Sequence, residues 1–386
     1  MSEMKKEIVL NINGQQVKGK EGDTVLDVCR ANKIDVPTLC FLEGLSNVGA
    51  CRLCVVEIEG ERRINPACTY PARDGLVIRT HTDNLEKYRR LILELLFTER
   101  NHFCFFCEAS GDCELQAMAY RYQMDHARYP YTFPSLPTDT VNDYLVIDHN
   151  RCILCGRCVR ECREVVGNNT LDFGRRGWRT LLVADLYQSL GQSSCISCGA
   201  CAQACPTGAI FSKVSAYRGR TSEGKTVRSV CSVCGIGCEI DVLVKDNNVV
   251  RIDGIGLTGQ KGQLCNKGRF EQVNGKGPRV TTPLVQDKAG NLQPATWEQA
   301  LGLVAERLND YRKRHGPRSI GGLVTSLYPN ETLNAFRKLM RDTIGTSFVD
   351  TLDGSVYRTL AQGISMFSKN GRGLEIESPL ETILES

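Results

Sequence analysis

Two runs of cysteine constrain this chain more than any other feature: Cys152-x2-Cys155-x2-Cys158-x3-Cys162 and Cys195-x2-Cys198-x2-Cys201-x3-Cys205-Pro206. Thiols this dense can form disulfides, ligate metal or do redox chemistry, and the compartment narrows the choice. The charged start, Met1 to Glu7, and the short Ile8–Leu10 apolar stretch make no secretory leader, so a reducing cytoplasm is expected. With 20 cysteines against 5 histidines, metal ligation by thiolate is the use that fits. The 386 residues are too many for one ordinary core, so several small modules in a row are expected. The formal charge of +4 is spread among interspersed acids and bases, without a basic, aromatic-laced stretch for nucleic acid. The apolar run Leu91–Phe97 is broken by Glu94 and falls far short of the roughly 20 residues that span a bilayer. No membrane insertion is expected.

The two runs resemble the two-cluster bacterial ferredoxins, in which each run's fourth cysteine serves the other run's cluster. That resemblance implies one [4Fe–4S] cluster on Cys152, Cys155, Cys158 and Cys205, and a second on Cys195, Cys198, Cys201 and Cys162. The first run lacks the usual proline, since Arg163 follows Cys162, but ligation needs only the thiolates.

Three further groups carry donors. Cys40-x10-Cys51-x2-Cys54-x13-Cys68 puts a loop-borne trio beside one distant cysteine, with Gly44, Gly49 and Ala50 leaving room for backbone N–H groups near sulfides. This resembles plant-type [2Fe–2S] ligation with a longer first gap; zinc, the alternative, favours two close CxxC pairs. His102-x-Cys104-x2-Cys107-x5-Cys113 offers three thiolates and an imidazole, and three cysteines alone cannot complete a [4Fe–4S] cluster. Cys231-x2-Cys234-x3-Cys238-x26-Cys265 offers four more thiolates, followed by Asn266-Lys267-Gly268. Cys29 belongs to no group and reads as a small buried hydrophobe on a helix.

Between these groups the chain reads as α+β modules. Strands are expected over Glu7–Asn11 and Gln15–Lys18 around the Asn13-Gly14 turn, then a helix capped by Asp23 or Thr24. Strands over Cys51–Ile58 and Gly75–Arg79 follow, then a helix over Asp83–Thr98 with Leu85, Tyr88, Leu91, Ile92, Leu95 and Leu96 on one face. Pro130, Pro134 and Pro137 mark an extended connection, and the polar Arg218–Thr226 stretch a second boundary. A helix near Trp297–Arg314, a strand over Gly321–Thr325 and a helix over Asn330–Ile344 read as the opening of an α/β domain.

The Cys40–Cys68 spacing and the Cys104–Gln116 stretch with its Cys-Glu-Leu-Gln ending resemble the large iron–sulfur subunit of complex I and the N-terminal part of [FeFe]-hydrogenases. The histidine of that family stands four before the first cysteine, where this chain has Arg100, and His102 stands two before. The Cys231–Lys267 lobe resembles the cluster-bearing lobe of molybdopterin-dependent formate dehydrogenases, in which the lysine at the Lys267 position lies between cluster and pterin. The resemblance implies a β-grasp [2Fe–2S] domain over 1–80, a His/Cys3 [4Fe–4S] helical domain over 81–124, a two-cluster ferredoxin domain over 141–215, a molybdopterin-oxidoreductase-type [4Fe–4S] domain over 227–282, and a truncated α/β remnant over 283–386.

Catalytic equipment is not apparent. No Cys or His follows His315, whereas formate dehydrogenases present Cys-His or selenocysteine-His to their metal where this chain has Val349–Arg358. The later cysteines of [FeFe]-hydrogenases are absent, and no dinucleotide fingerprint stands in a βαβ context. The expectation is a five-cluster electron conductor without molybdopterin and without its own substrate-converting site. By resemblance it is the alpha-type subunit of an electron-bifurcating or NAD-linked hydrogenase. Its implied partners are a flavin/NAD(H)-binding diaphorase subunit, a small [2Fe–2S] subunit, the small and large subunits of an [NiFe] hydrogenase, and a soluble ferredoxin. A truncated, NAD-dependent molybdenum or tungsten formate dehydrogenase is the alternative.

Overall fold

The computed structural model describes residues 6–234, 236–255, 262–273, 280–325 and 327–351. The chain divides into two units, residues 1–231 with 238–275, and residues 232–237 with 276–386.

The first unit opens on an antiparallel hairpin, β1 (Glu7–Ile12) and β2 (Gln15–Lys20). Asn13 and Gly14 both take positive φ, 53° and 83°, as the tight turn of a right-twisted hairpin requires. Helix α1 (Val25–Ala31) follows, its first turn closed by Thr24 and Asp27, each side chain bonding the other's backbone N–H. Strands β3 (Val55–Ile58), β4 (Asn65–Pro66) and β5 (Val77–Arg79) complete a sheet of order β2-β1-β5-β3-β4, in which β1 and β5 run parallel. Leu10, Ile12, Val25, Leu26, Val56 and Ile78 form its core, and Cys29 lies fully buried among them. The strand expected from Cys51 begins only at Val55, because residues 51–54 belong to the thiol-bearing loop.

Helix α2 (Asp83–Glu99) crosses from this sheet to the next module. Its buried stripe is Leu85, Arg89, Leu93, Glu94 and Thr98, whereas Tyr88 and Leu95 are exposed, which corrects the face expected from apolar spacing. The cause is Arg89. Its guanidinium is fully buried and donates to the carbonyls of Leu53 at 3.2 Å, Val55 at 2.8 Å and Thr80 at 2.9 Å. Glu94 pairs with Arg128 on the extended segment at 2.9 Å and with Arg90 one turn earlier at 3.4 Å. Helix α3 (Glu114–Arg121) packs against α2.

Next come β6 (Thr138–Asp139), β7 (Leu145–Asp148), α4 (Arg157–Arg160), β8 (Leu171–Gly174), β9 (Leu181–Ala184), α5 (Ala200–Ala204) and β10 (Ile210–Ser212). The two ends of this stretch pair as an antiparallel sheet, β10-β7-β6, and β8 with β9 forms a hairpin. An antiparallel meander, β11 (Lys225–Val230), β12 (Glu239–Lys245) and β13 (Asn248–Gly254), follows, with a helical turn at Lys267–Glu271.

The second unit holds the hairpin β14 (Leu284–Gln286) and β15 (Leu292–Pro294), helix α6 (Trp297–His315), then β16 (Gly322–Val324), α7 (Asn330–Lys338) and β17 (Val349–Thr351). Strands β16 and β17 are parallel with α7 between them, a βαβ crossover of the α/β kind expected there. Residues 352–358 of the segment compared with formate dehydrogenases lie outside the described residues. Among the described residues no helix is long and apolar enough to cross a membrane.

Replacing Arg89 by methionine should leave three backbone carbonyls buried without a donor. The expected cost is about 3 kcal/mol of unfolding free energy in a denaturant titration, mostly from unmade hydrogen bonds. Wild-type stability would show that water replaces the guanidinium.

Candidate metal centres

Cys40, Cys51, Cys54 and Cys68 are all buried. Loop 40–54 curls through Gly44 and Gly49, whose φ values are 84° and 60°. Hydrogen bonding from the Cys51 and Cys68 thiols lowers the Cys40 thiol well below its usual range, and Cys54 is lowered in the same way by Cys68. The donors Cys51 and Cys68 are pushed up, first by those same bonds and then by burial. Four thiols sharing protons in this way are close enough to serve one centre once deprotonated. The Leu39 N–H also points at Cys51 Sγ, at 3.4 Å.

His102, Cys104, Cys107 and Cys113 line one pocket. His102 Nε2 is buried there without a hydrogen-bond partner. Burial, then the charges of Arg151 and Arg100, lower the imidazole to about 4, so the ring is neutral near pH 7 with a lone pair available. Burial raises all three thiols, Cys113 to about 11. Three thiols and an orphaned imidazole nitrogen lining one pocket are the donor set a His/Cys3 cluster needs. Arg100 does not line this pocket; its guanidinium donates to the Thr180 carbonyl at 2.7 Å.

The two ferredoxin-like runs repeat one backbone design. Leu154 and Gly156 in the first, and Ser197 and Gly199 in the second, all take positive φ. In each run the residue two after the first cysteine donates its N–H to that cysteine's sulfur at 3.4 Å. Cys152, Cys155, Cys158 and Cys205 line a common pocket, walled by Ile147, Ile153, Phe173, Leu182 and Ile210. Cys201 is pushed well above its usual range by burial and then by the Cys198, Cys195 and Cys162 thiols. The fourth cysteine of each run thus stands with the first three of the other. Among the described residues no three His, Cys, Asp or Glu side chains are gathered tightly enough to hold a single ion. In each of two pockets the donors instead converge as a set of four.

In the fourth group, Cys231 and Cys265 both flank Gly268: a Cβ there would lie 3.1 Å from Cys231 Sγ and 3.8 Å from Cys265 Sγ. Cys231 N–H donates to the Cys238 carbonyl at 2.8 Å, and Gly268 N–H points at Cys265 Sγ at 3.4 Å. Cys234 belongs to the second unit and is exposed. Lys267 is exposed too, its backbone N–H bonded to Asn266.

Residues not singled out from the sequence join these sites. Cys40, Cys51 and Cys155 share one apolar cluster with Leu39, Leu53, Leu93 and Leu115, and Cys113 packs against it. Arg157 and Glu114 form a two-pronged ion pair at 2.6 and 2.8 Å between α4 and α3. Buried Arg269 donates to the Cys198 carbonyl at 2.8 Å and pairs with Asp253 at 3.3 Å. The arginines within Cys155-Gly-Arg-Cys-Val-Arg were the available signal, because a charge trapped among ligand cysteines must be buried and needs partners.

Gly208 abuts Cys107 so closely that a Cβ would come within 2.6 Å of its sulfur. Gly208→Ala should therefore displace Cys107, with loss of about four irons per chain for a cavity that holds a [4Fe–4S] cluster. Unchanged iron content by metal analysis would mean that the Cys107 loop yields freely.

Comparison with known families follows the same order along the chain. Residues 5–83 match a 2Fe-2S iron-sulfur cluster binding domain, and 89–128 the NADH-ubiquinone oxidoreductase-G iron-sulfur binding region. Residues 191–211 match a 4Fe-4S binding domain, 224–272 the molybdopterin oxidoreductase Fe4S4 domain, and 279–372 molybdopterin oxidoreductase. The NADPH-Fe(3+) oxidoreductase subunit alpha of Geobacter sulfurreducens is 33% identical over 354 residues, covering 89% of this chain and 40% of its own length. A subunit of the NADH-quinone oxidoreductase of Rhizobium meliloti is 34% identical over 348 residues, with coverage of 89% and 40%. A putative formate dehydrogenase of Staphylococcus aureus is 26% identical over 391 residues, covering 90% of this chain and 39% of its own length. The chain thus spans about 40% of the length of relatives it matches. Among solved structures, a chain of an NAD+-reducing [NiFe]-hydrogenase in the H2-reduced state matches with 36% identity and a TM-score of 0.53, covering 56% of this chain and 91% of that one. The chain is thus similar to the iron–sulfur subunits of the NADH-ubiquinone oxidoreductase-G type, with a molybdopterin-oxidoreductase-like region following its iron–sulfur modules.

Proposed function

We propose that this chain is the electron-transfer subunit of a multisubunit, NAD(H)-linked or electron-bifurcating oxidoreductase, passing electrons between a flavin/NAD subunit and a separate [NiFe] hydrogenase module. The observation that carries this reading is that ligand cysteines of separate groups pack into shared cores: Cys40, Cys51 and Cys155 in one, and Cys158, Cys162 and Cys201 in another. Centres in such proximity make a conductor.

In this reading Cys40, Cys51, Cys54 and Cys68 hold a [2Fe–2S] cluster, and His102 with Cys104, Cys107 and Cys113 holds a [4Fe–4S] cluster. Cys152, Cys155, Cys158 and Cys205 hold the next, Cys162, Cys195, Cys198 and Cys201 another, and Cys231, Cys234, Cys238 and Cys265 the last. The clusters supply one-electron chemistry; the chain supplies burial, spacing and hydrogen bonds to sulfur. The hydrogenase partner, with small and large subunits, is supported by the 36% identity to a chain of an NAD+-reducing [NiFe]-hydrogenase. A small [2Fe–2S] subunit and a soluble ferredoxin complete the proposed electron route, and the molybdopterin-oxidoreductase-like region serves as a docking platform.

A second reading, a formate dehydrogenase, is favoured by the molybdopterin oxidoreductase match at 279–372. The lack of a Cys-His pair within Val349–Arg358, the stretch where formate dehydrogenases present one to their metal, weighs against it. Anaerobic purification with metal analysis separates the two. Roughly eighteen irons per chain, with nickel in the complex, is expected; molybdenum or tungsten with pterin would overturn the hydrogenase assignment.

Two substitution sets test the wiring. Cys198→Ala should remove one ferredoxin-type cluster and stop physiological electron transfer while NADH oxidation with an artificial dye continues, and Cys29→Ala should leave every cluster in place. Physiological transfer at the wild-type rate in Cys198→Ala would sink the conductor role. His102→Cys should keep its cluster but lower that cluster's midpoint potential, since thiolate replaces the neutral donor, whereas His102→Ala should lose it. Full cluster content in His102→Ala would mean that the fourth ligand lies elsewhere.

A further inference from the structure

Arg160 lies at the end of α4, two residues before Cys162, and its side chain is buried. Its Nη2 donates to the carbonyl of Cys40 at 2.6 Å and to that of Cys155 at 3.2 Å. Its Nη1 donates to the Ser46 carbonyl and its Nε to the Gly156 carbonyl at 3.2 Å. One guanidinium therefore holds two ligand-bearing peptides 115 residues apart in sequence, one from the Cys40 loop and one from the first ferredoxin-like run. All four acceptors are backbone carbonyls, and among the described residues no carboxylate forms an ion pair with it. Glu164 feels its charge, but the Glu164 carboxylate is bonded to the Ser46 N–H at 2.7 Å and to the Ser46 hydroxyl.

We propose that Arg160 is a positioning residue that sets the reduction potentials of two centres together, the one framed by Cys40, Cys51, Cys54 and Cys68 and the one framed by Cys152, Cys155, Cys158 and Cys205. The inference rests on the ligand assignment proposed above. A cluster gains one negative charge on reduction, and a fixed cation in a water-poor site stabilises that added charge. Arginine keeps its proton at every accessible pH, so the bias is constant, and its planar fork alone can reach both carbonyls at once. Both potentials are raised, and because the cation is shared they are raised as a pair.

The test is an EPR-monitored redox titration of the anaerobically purified holoprotein, with iron content measured alongside. Arg160→Gln should shift the midpoint potentials of these two centres downward and leave the Cys195-group centre where it was. Arg160→Lys keeps the charge but cannot span both carbonyls, and should shift the same two centres downward by less. Unchanged potentials in either iron-replete variant, or an equal shift in every centre, would overturn the proposal; should Arg160→Gln lose iron, the Arg160→Lys titration decides. Missing clusters in the wild-type protein, measured first, would count against the ligand assignment instead.

Discussion

Buried guanidinium groups bonded to backbone carbonyls are the interaction on which the arrangement of the first unit depends. A loop that wraps a cluster spends its polypeptide on thiols and tight turns, leaving little apolar surface and many carbonyls pointing inward. Each such carbonyl costs free energy if left without a donor. Arginine offers five N–H donors on a plane and never loses its charge. Arg89 binds the first sheet to α2, and Arg160 binds the Cys40 loop to the first ferredoxin-like run. Arg157, through Glu114, binds that run to the His102 module, and Arg269 binds the second run to the β12–β13 lobe. The four are buried to within a few per cent of completely.

The cysteines are core residues as well as candidate ligands. Cys158, Cys162 and Cys201 pack with Leu145, Ile147, Leu171, Leu182 and Ile210, so the walls that exclude water from the thiols are also what hold this module folded. Burial raises most of these thiols, which stay protonated until a metal displaces the proton.

Much of this was legible in the sequence, for physical reasons. Asn13-Gly14 announced its hairpin because only that kind of pair accepts two positive φ values cheaply, and the repeated x2, x2, x3 spacing announced a repeated backbone path. The buried face of α2 was not legible. Apolar spacing pointed to Tyr88 and Leu95, whereas a cation and a carboxylate, Arg89 and Glu94, go inside because carbonyls and Arg128, distant in sequence, meet them. The Gly208 contact with Cys107 was equally silent, since a glycine demanded by a sulfur 101 positions away leaves no local pattern. Local chemistry was readable; partners brought together by the fold were not.

The late position of Cys205 in a pocket lined otherwise by the first run's cysteines bears on biosynthesis. Cys205 joins Cys152, Cys155 and Cys158 there, and Cys162 lies near Cys195, Cys198 and Cys201, which are made later. Synthesis proceeds at roughly 5–20 residues per second from the N-terminus, so for several seconds the nascent chain carries an incomplete set of thiols. A cluster delivered in that interval would meet three donors and a gap. On the ligand sets proposed above, a chain cut short between residues 162 and 205 would complete neither site.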